Sequence, residues 1–400
     1  MVLEELRSRN IPDVFRMDDG HYADSPDLWR KRREEMLELL SREMYGFSPP
    51  PPGEVRADVL MSDEKAFGGK AAYYRIKLSF DTPGGEFSFP FSLAVPKEPA
   101  CAPVFLLISF SPHIADICLP AEEILDEGFA VASFYYADVA PDTDDGFSAG
   151  IAAMYGNGRR GPDSWGKISM WAWAASRVMD HLQSGKDIDT GKIVVAGHSR
   201  LGKTALWCAA QDERFAGCIS NDSGCSGAAI TRGKKGEHVS HITGAFGYWF
   251  CENFRKYADR EDEMPFDQHF VLSLIAPRPL YVASASEDEW CDPGAEYLCC
   301  VAVSRVYEML GKKGVSCGNG YTLDAADAAR KQTAANTACK QTAADDNGSV
   351  HDYPKPGDVL HGGSIAYHLR SGTHFLGRYD WNCFIRYFRQ RFSDVDAIAP

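Results

Sequence analysis

The stretch KIVVAGHSRLGKTALWCAA, residues 192–210, sets a serine where a β-branched run stops and a helical pattern begins. A sharp strand-to-helix turn there would present the Ser199 hydroxyl as a nucleophile, provided small residues flank it. Gly197 lies two before Ser199 and Gly202 three after, so the far glycine is one residue later than in the regular G-x-S-x-G pattern. The weight therefore falls on the strand and helix context, and the ordinary alternative is a serine that caps a helix.

A serine nucleophile needs a histidine to take its proton and a carboxylate to hold the histidine; in sheets of this kind the chain order is Ser, acid, His. Of the eleven histidines, His351, His361, His368 and His374 follow every candidate acid. His374, in SGTHFLG directly after the strand-like SIAYHL, is the expected base. His368 would sit on the flank of that strand, and His351 and His361 fall within or beside a low-complexity stretch. Two acids stand open. Asp288 follows the strand PLYVASASE, and Asp222 follows the strand after the elbow helix, where it could equally cap a turn. Asp292, next to Pro293, reads as a helix N-cap. Arg200 directly follows the nucleophile, an unusual place for a cation. Lys203, one helical turn beyond Ser199, is on its own a solvated helix residue.

The elements that must hold these residues are legible as patterns. Residues 27–45 place Trp29, Met36, Leu37, Leu40 and Met44 on one helical stripe, which SPPPPGE ends. Alternating stretches at 54–61, 72–80 and 86–95 predict an antiparallel start to a sheet. From Ala102, apolar runs without alternation (PVFLLISF, FAVASFYY, KIVVAGHS, GCISND, PLYVASAS) predict buried parallel strands with crossover helices, one of them over 164–182. The fold class is α/β, a doubly wound and mostly parallel sheet with antiparallel N-terminal strands. Residues 1–400 are expected to form one domain, with 1–50 as an N-terminal helical extension and 314–363, which carries KQTAA twice, as a low-complexity insertion.

Composition narrows the function. A chain of 400 residues, 44% hydrophobic, can bury a large core, and its net charge of −14 argues against nucleic-acid or anionic-membrane partners. No secretory leader and no apolar run of membrane-spanning length is visible, so a soluble protein is expected, either cytoplasmic or exported with its signal removed. The twelve cysteines are scattered through apolar runs and read as reduced, buried thiols. Without CxxC or HExxH there is no support for a zinc site, and no cofactor or metal is expected.

GHSRLGK resembles the G-[HC]-S-R-x-G-K signature of the glucuronoyl esterases, carbohydrate esterase family 15, and of bacterial relatives often labelled acetylxylan esterases. The blocks SWGKISMWAWAASRVMDHL, SNDSGCSGAA, RGKKGE, APRPLYVASASEDEWCDP and YHLRSGTHFLGRYDW extend the resemblance over most of 164–381, in the family's order. It implies an α/β-hydrolase fold with Ser199 as nucleophile and His374 as base. Asp222 would match a second acidic site used by many members, and the Arg200 side chain would donate to the oxyanion. Lys203, Glu237 and Trp290 would bind the uronic acid sugar. The substrate implied is a carbohydrate ester, glucuronoxylan or a lignin–carbohydrate ester, and the protein is expected to act as a monomer. Deacetylation of xylan is the alternative enzyme reading, and a catalytically silent carbohydrate-binding protein the non-enzymatic one.

Overall fold

The computed structural model describes residues 2–114, 116–156, 160–316 and 352–396. Strands β1 (Arg56–Ala66), β2 (Ala71–Thr82) and β3 (Gly85–Pro96) form an antiparallel meander, in which β1 is an exposed edge. Next in the chain come β4 (Ala102–Ser109), β5 (Ala130–Tyr135), β6 (Ile188–His198), β7 (Gly217–Asn221) and β8 (Leu280–Ala285), then β9 (Val359–Leu360) and β10 (Ile365–Arg370). All ten join one sheet in the order β1-β2-β3-β5-β4-β6-β7-β8-β10-β9. From β5 to β10 every neighbouring pair is parallel, as the unalternating apolar runs predict.

The reason those runs do not alternate is visible on β4. Val104, Leu106 and Ile108 enter one apolar cluster while Phe105 and Leu107 enter the other, so the strand is covered on both faces. The helices Lys167–Leu182, Arg200–Gln211 and Pro293–Met309 pack on the first face, and the C-terminal helix Arg378–Asp396 covers the second through Trp381, Phe384 and Phe388. Trp207 shows how the first face is fixed around the elbow. Its ring stacks on Tyr45 at 4.2 Å, and its indole N–H donates to Ser169 Oγ at 3.0 Å, tying the elbow helix to Lys167–Leu182. Truncating a buried tryptophan of this kind costs about 3–5 kcal/mol.

The N-terminal helix, Pro26–Leu40, starts at the Ser25 cap, and its last turn, Ser41–Tyr45, widens to a π-turn. Trp29, Met36, Leu40, Met44 and Tyr45 are buried in the first cluster, so this segment is a wall of the core. Leu37 is only half-buried. Most of 314–363 lies outside the described residues, but its far end is built into the sheet as β9. The described cysteines are free and nearly all are buried. No described helix is long and apolar enough to cross a membrane.

Candidate active site

The elbow departs from ordinary helix capping. Ser199 occupies the N-cap position of Arg200–Gln211 at φ 56°, ψ −128°, and its side chain makes no capping bond. A non-glycine residue held there costs on the order of 1–3 kcal/mol, tolerated where the surroundings over-determine it. The Ser199 amide donates to Asn221 O at 2.9 Å, and a Cβ on Gly197 would fall 1.9 Å from Leu201 O. Gly202, whose late position broke the regular pattern, faces β7: a Cβ there would lie 3.1 Å from both Ser220 Oγ and Ser223 Cβ. Its smallness serves the approach of the helix to the neighbouring strand.

His374 lies in the loop after β10. Its Nδ1 is hydrogen-bonded to Asp288 Oδ2 at 2.6 Å, and Asp288, in the loop after β8, also accepts from the Cys291 amide at 3.3 Å through Oδ1. Burial would raise the Asp288 carboxyl, but the bonds from His374 and Cys291 outweigh it and hold it below the ordinary carboxylate value. His198, the residue before Ser199, packs its ring 4.5 Å from that of His374 and anchors on Asn221 Oδ1 at 2.7 Å. Burial and the neighbouring imidazole push His198 down to about 4, so it is neutral at pH 7.

The second candidate acid is placed differently. Asp222 is buried at φ 44° in the loop after β7, and its Oδ2 accepts from the Phe375 amide at 3.3 Å and from Arg370 Nη2 at 3.2 Å. It thus touches the main chain next to His374, while the imidazole itself goes to Asp288. Asp288, Cys291 and His374 bring three metal-ligating atoms within 4.8 Å of one another. The acid–base bond already occupies two of them. His361 and His368 stay apart from this centre, joined through Tyr281 OH at 2.7 and 2.9 Å, and Asp292 caps Pro293–Met309 as its sequence position suggests.

Arg200 is held by an ion pair with Asp142. Asp142 also accepts from Trp249 Nε1 at 2.7 Å and from the hydroxyls of Tyr248 and Tyr136, each at 3.1 Å. The guanidinium lies 4.9 Å from the Trp249 ring, which stacks on Phe246 at 4.1 Å. Arg200 Nε is buried with no hydrogen-bond partner among the described residues.

Lys203 is not a solvated helix residue. It is 4% exposed, and its ammonium donates to Ser223 O at 2.6 Å, beside Asp222 in the chain. Glu237 and Trp290 come from distant segments and meet through the Glu237 amide, which donates to Trp290 O at 3.0 Å. Gly236 makes this possible, since a Cβ there would lie 2.5 Å from the Glu289 and Trp290 carbonyls. Trp290 is 52% exposed, beside His241, and lines an open pocket of about 430 Å³ with Lys235, Glu289 and Asp292.

Several residues of the site carried no sequence signal. Asp142 lies in PDTDDG, one of three neighbouring acids in a loop, and nothing but the fold selects it. Lys234, which straps the 234–237 turn by donating to Glu237 O at 2.6 Å, sat unremarked inside RGKKGE. Glu296, inside a helical pattern, is fully buried and accepts from the amides of Ser223 and Gly224 at 2.9 and 2.8 Å.

A serine on a strained elbow at the end of a central parallel strand, with a His–Asp pair on loops after later strands, defines an α/β-hydrolase. A family model described as glucuronyl esterase, fungi, matches residues 79–311. A carbohydrate esterase from an unknown prokaryotic organism is 32% identical over 419 residues, covering 94% of this chain and 88% of the relative. A 4-O-methyl-glucuronoyl methylesterase of Wolfiporia cocos is 31% identical over 75% of this chain and 72% of its own length. The solved structure of a glucuronoyl esterase from Solibacter usitatus superposes with a TM-score of 0.80 at 32% identity, covering 95% of this chain and 97% of that one. The chain belongs to the glucuronoyl esterase family, carbohydrate esterase family 15, and is a carboxylic ester hydrolase.

Proposed function

We propose that the protein hydrolyses esters of glucuronic acid carried on xylan, such as its links to lignin alcohols, through a Ser199–His374–Asp288 triad. The observation that carries this reading is the 2.6 Å bond from His374 to Asp288, with the ring of His198, next to Ser199, packed against the same imidazole. Because Nδ1 is committed to Asp288, Nε2 is the nitrogen left to take the Ser199 proton. The hydroxyl oxygen attacks the ester carbonyl, and the tetrahedral oxyanion is met by Arg200, the residue next to the nucleophile, whose guanidinium is held by Asp142. Collapse expels the alcohol with the proton held on His374. Water, deprotonated by the same imidazole, then releases the glucuronate from the acyl-enzyme.

Lys203, Glu237 and Trp290 are the proposed sugar-binding set, on the acyl side of the ester. The exposed indole of Trp290 offers a face and an N–H to a ring, and Glu237 is tied to it through the main chain. Comparing rates on benzyl glucuronate and on acetylated xylan tests the assignment: the glucuronate ester should be hydrolysed faster, and the reverse would move the protein to the deacetylases. Ser199→Ala should abolish both.

A further inference from the structure

His374 is carried by a loop, 371–377, that has no regular structure of its own. A base on such a loop must nevertheless stay within about 0.5 Å of its working position. Besides the bond from His374 to Asp288 and one from the Glu287 amide to Gly372 O at 3.0 Å, a buried side chain gathers the loop. Arg370, the last residue of β10, turns its guanidinium back under the loop. Its Nη1 donates to Ser371 O at 3.2 Å, and its Nη2 donates to Thr373 O at 2.8 Å and also to Phe375 O. Three carbonyls of the loop, two of them flanking His374, thus converge on one planar group. The amides of the same loop go to the two carboxylates that pair with it. Phe375 N donates to Asp222 and Gly377 N to Asp380 Oδ2 at 2.8 Å, while Arg370 bonds Asp222 through Nη2 and Asp380 Oδ1 through Nε at 3.1 Å. Asp380 is 1% exposed and stands in the first turn of the C-terminal helix, where His368 Nε2 meets it at 2.9 Å.

We propose that Arg370, braced by Asp380 and Asp222, is a positioning residue that sets the place of His374 in the reaction. It touches neither substrate nor reacting atoms, and it acts on the backbone to either side of the base. A lysine could not replace it, because a compact ammonium cannot reach three carbonyls and two carboxylates in one plane.

The inference rests on His374 being the base, and the test separates the two. Arg370→Ala, Arg370→Lys and Asp380→Asn are compared with wild type, Ser199→Ala and His374→Ala on benzyl glucuronate, with active sites titrated by a fluorophosphonate and melting curves taken. Arg370→Ala should lose about 10²-fold in kcat with KM changed less than about threefold, the scale expected of a base displaced by about 1 Å. Arg370→Lys should regain little, and added guanidinium should restore part of the Arg370→Ala rate. If the arginine variants do not fold, Asp380→Asn, which keeps the side-chain shape, should still lower kcat about tenfold at unchanged KM. Variants that melt earlier but keep wild-type kcat per titrated site would overturn the positioning role. Activity in His374→Ala would instead overturn the reading of the site.

Discussion

Replacing Asp288 by asparagine changes almost nothing in shape and should nearly silence the enzyme. The Cys291 amide donates to one oxygen of Asp288 and His374 Nδ1 bonds the other at 2.6 Å. In Asp288→Asn the Cys291 amide keeps the carbonyl oxygen, which turns the NH2 group toward His374. Nδ1 must then accept, the ring proton moves to Nε2, and in the proposed triad that nitrogen can no longer take the Ser199 proton. In serine proteases the same tautomer reversal lowers kcat by about 10⁴. A loss between about 10³ and 10⁴ is expected here, with KM little changed, since the acid does not face substrate. Asp222→Asn supplies the contrast. Its bonds to Arg370 and to the Phe375 amide are both 3.2 Å or longer and both fall on Oδ2, so an amide oxygen in that place can keep them. Its loss should stay near tenfold. Steady-state rates of the two variants on benzyl glucuronate decide the matter. Equal losses, or a greater loss for Asp222→Asn, would refute the argument that the 2.6 Å bond identifies the orienting acid.

Arg200→Ala should lower kcat by about 10²-fold or more with KM nearly constant, and Arg200→Lys should rescue poorly; unchanged kcat in a stable variant would remove Arg200 from the mechanism. Ser199→Gly should be inactive yet melt slightly higher than wild type, because glycine accepts φ 56° without strain; a lower melting temperature would show the elbow to be relaxed. Burial, countered only in part by its bond from Ser284, lifts Glu296 from 4.5 to about 7. The folded state therefore holds a proton that the unfolded chain releases, and stability is lost as pH rises from about 4.5 through 7. Glu296→Gln should gain melting temperature relative to wild type between pH 5 and pH 8, and a constant difference across that range would count against the buried charge.

The strands from Ala102 onward were readable because burial on both faces suppresses alternation, as the split of the β4 side chains between two clusters shows. Ser199 was readable because a β-branched run, two glycines and a helical pattern fall within a few residues. The partner of Arg200 was not. Asp142 is selected by a tryptophan and two tyrosines from two other segments, and a single sequence gives no measure of distances across a fold. Lys203 was misjudged on its own for the same reason: the carbonyl that holds its ammonium belongs to Ser223, twenty residues away. The order of preference between Asp288 and Asp222 also needed coordinates, since each follows a strand that ends at the site, and only the 2.6 Å bond separates them.

Gly202 ties two stretches of the chain into one evolutionary unit. The space beside its position is closed by Ser220 and Ser223, which also bond each other at 2.7 Å, together with Gly197 O, 3.2 Å from where a Cβ would stand. A lineage could enlarge residue 202 only after shrinking that serine pair, and doing so would disturb the turn that carries Asp222 and receives Lys203. Substitutions at 202, 220 and 223 should therefore travel together among descendants of this sequence, while Gly197, blocked by the backbone of Leu201, has no partner whose change could release it.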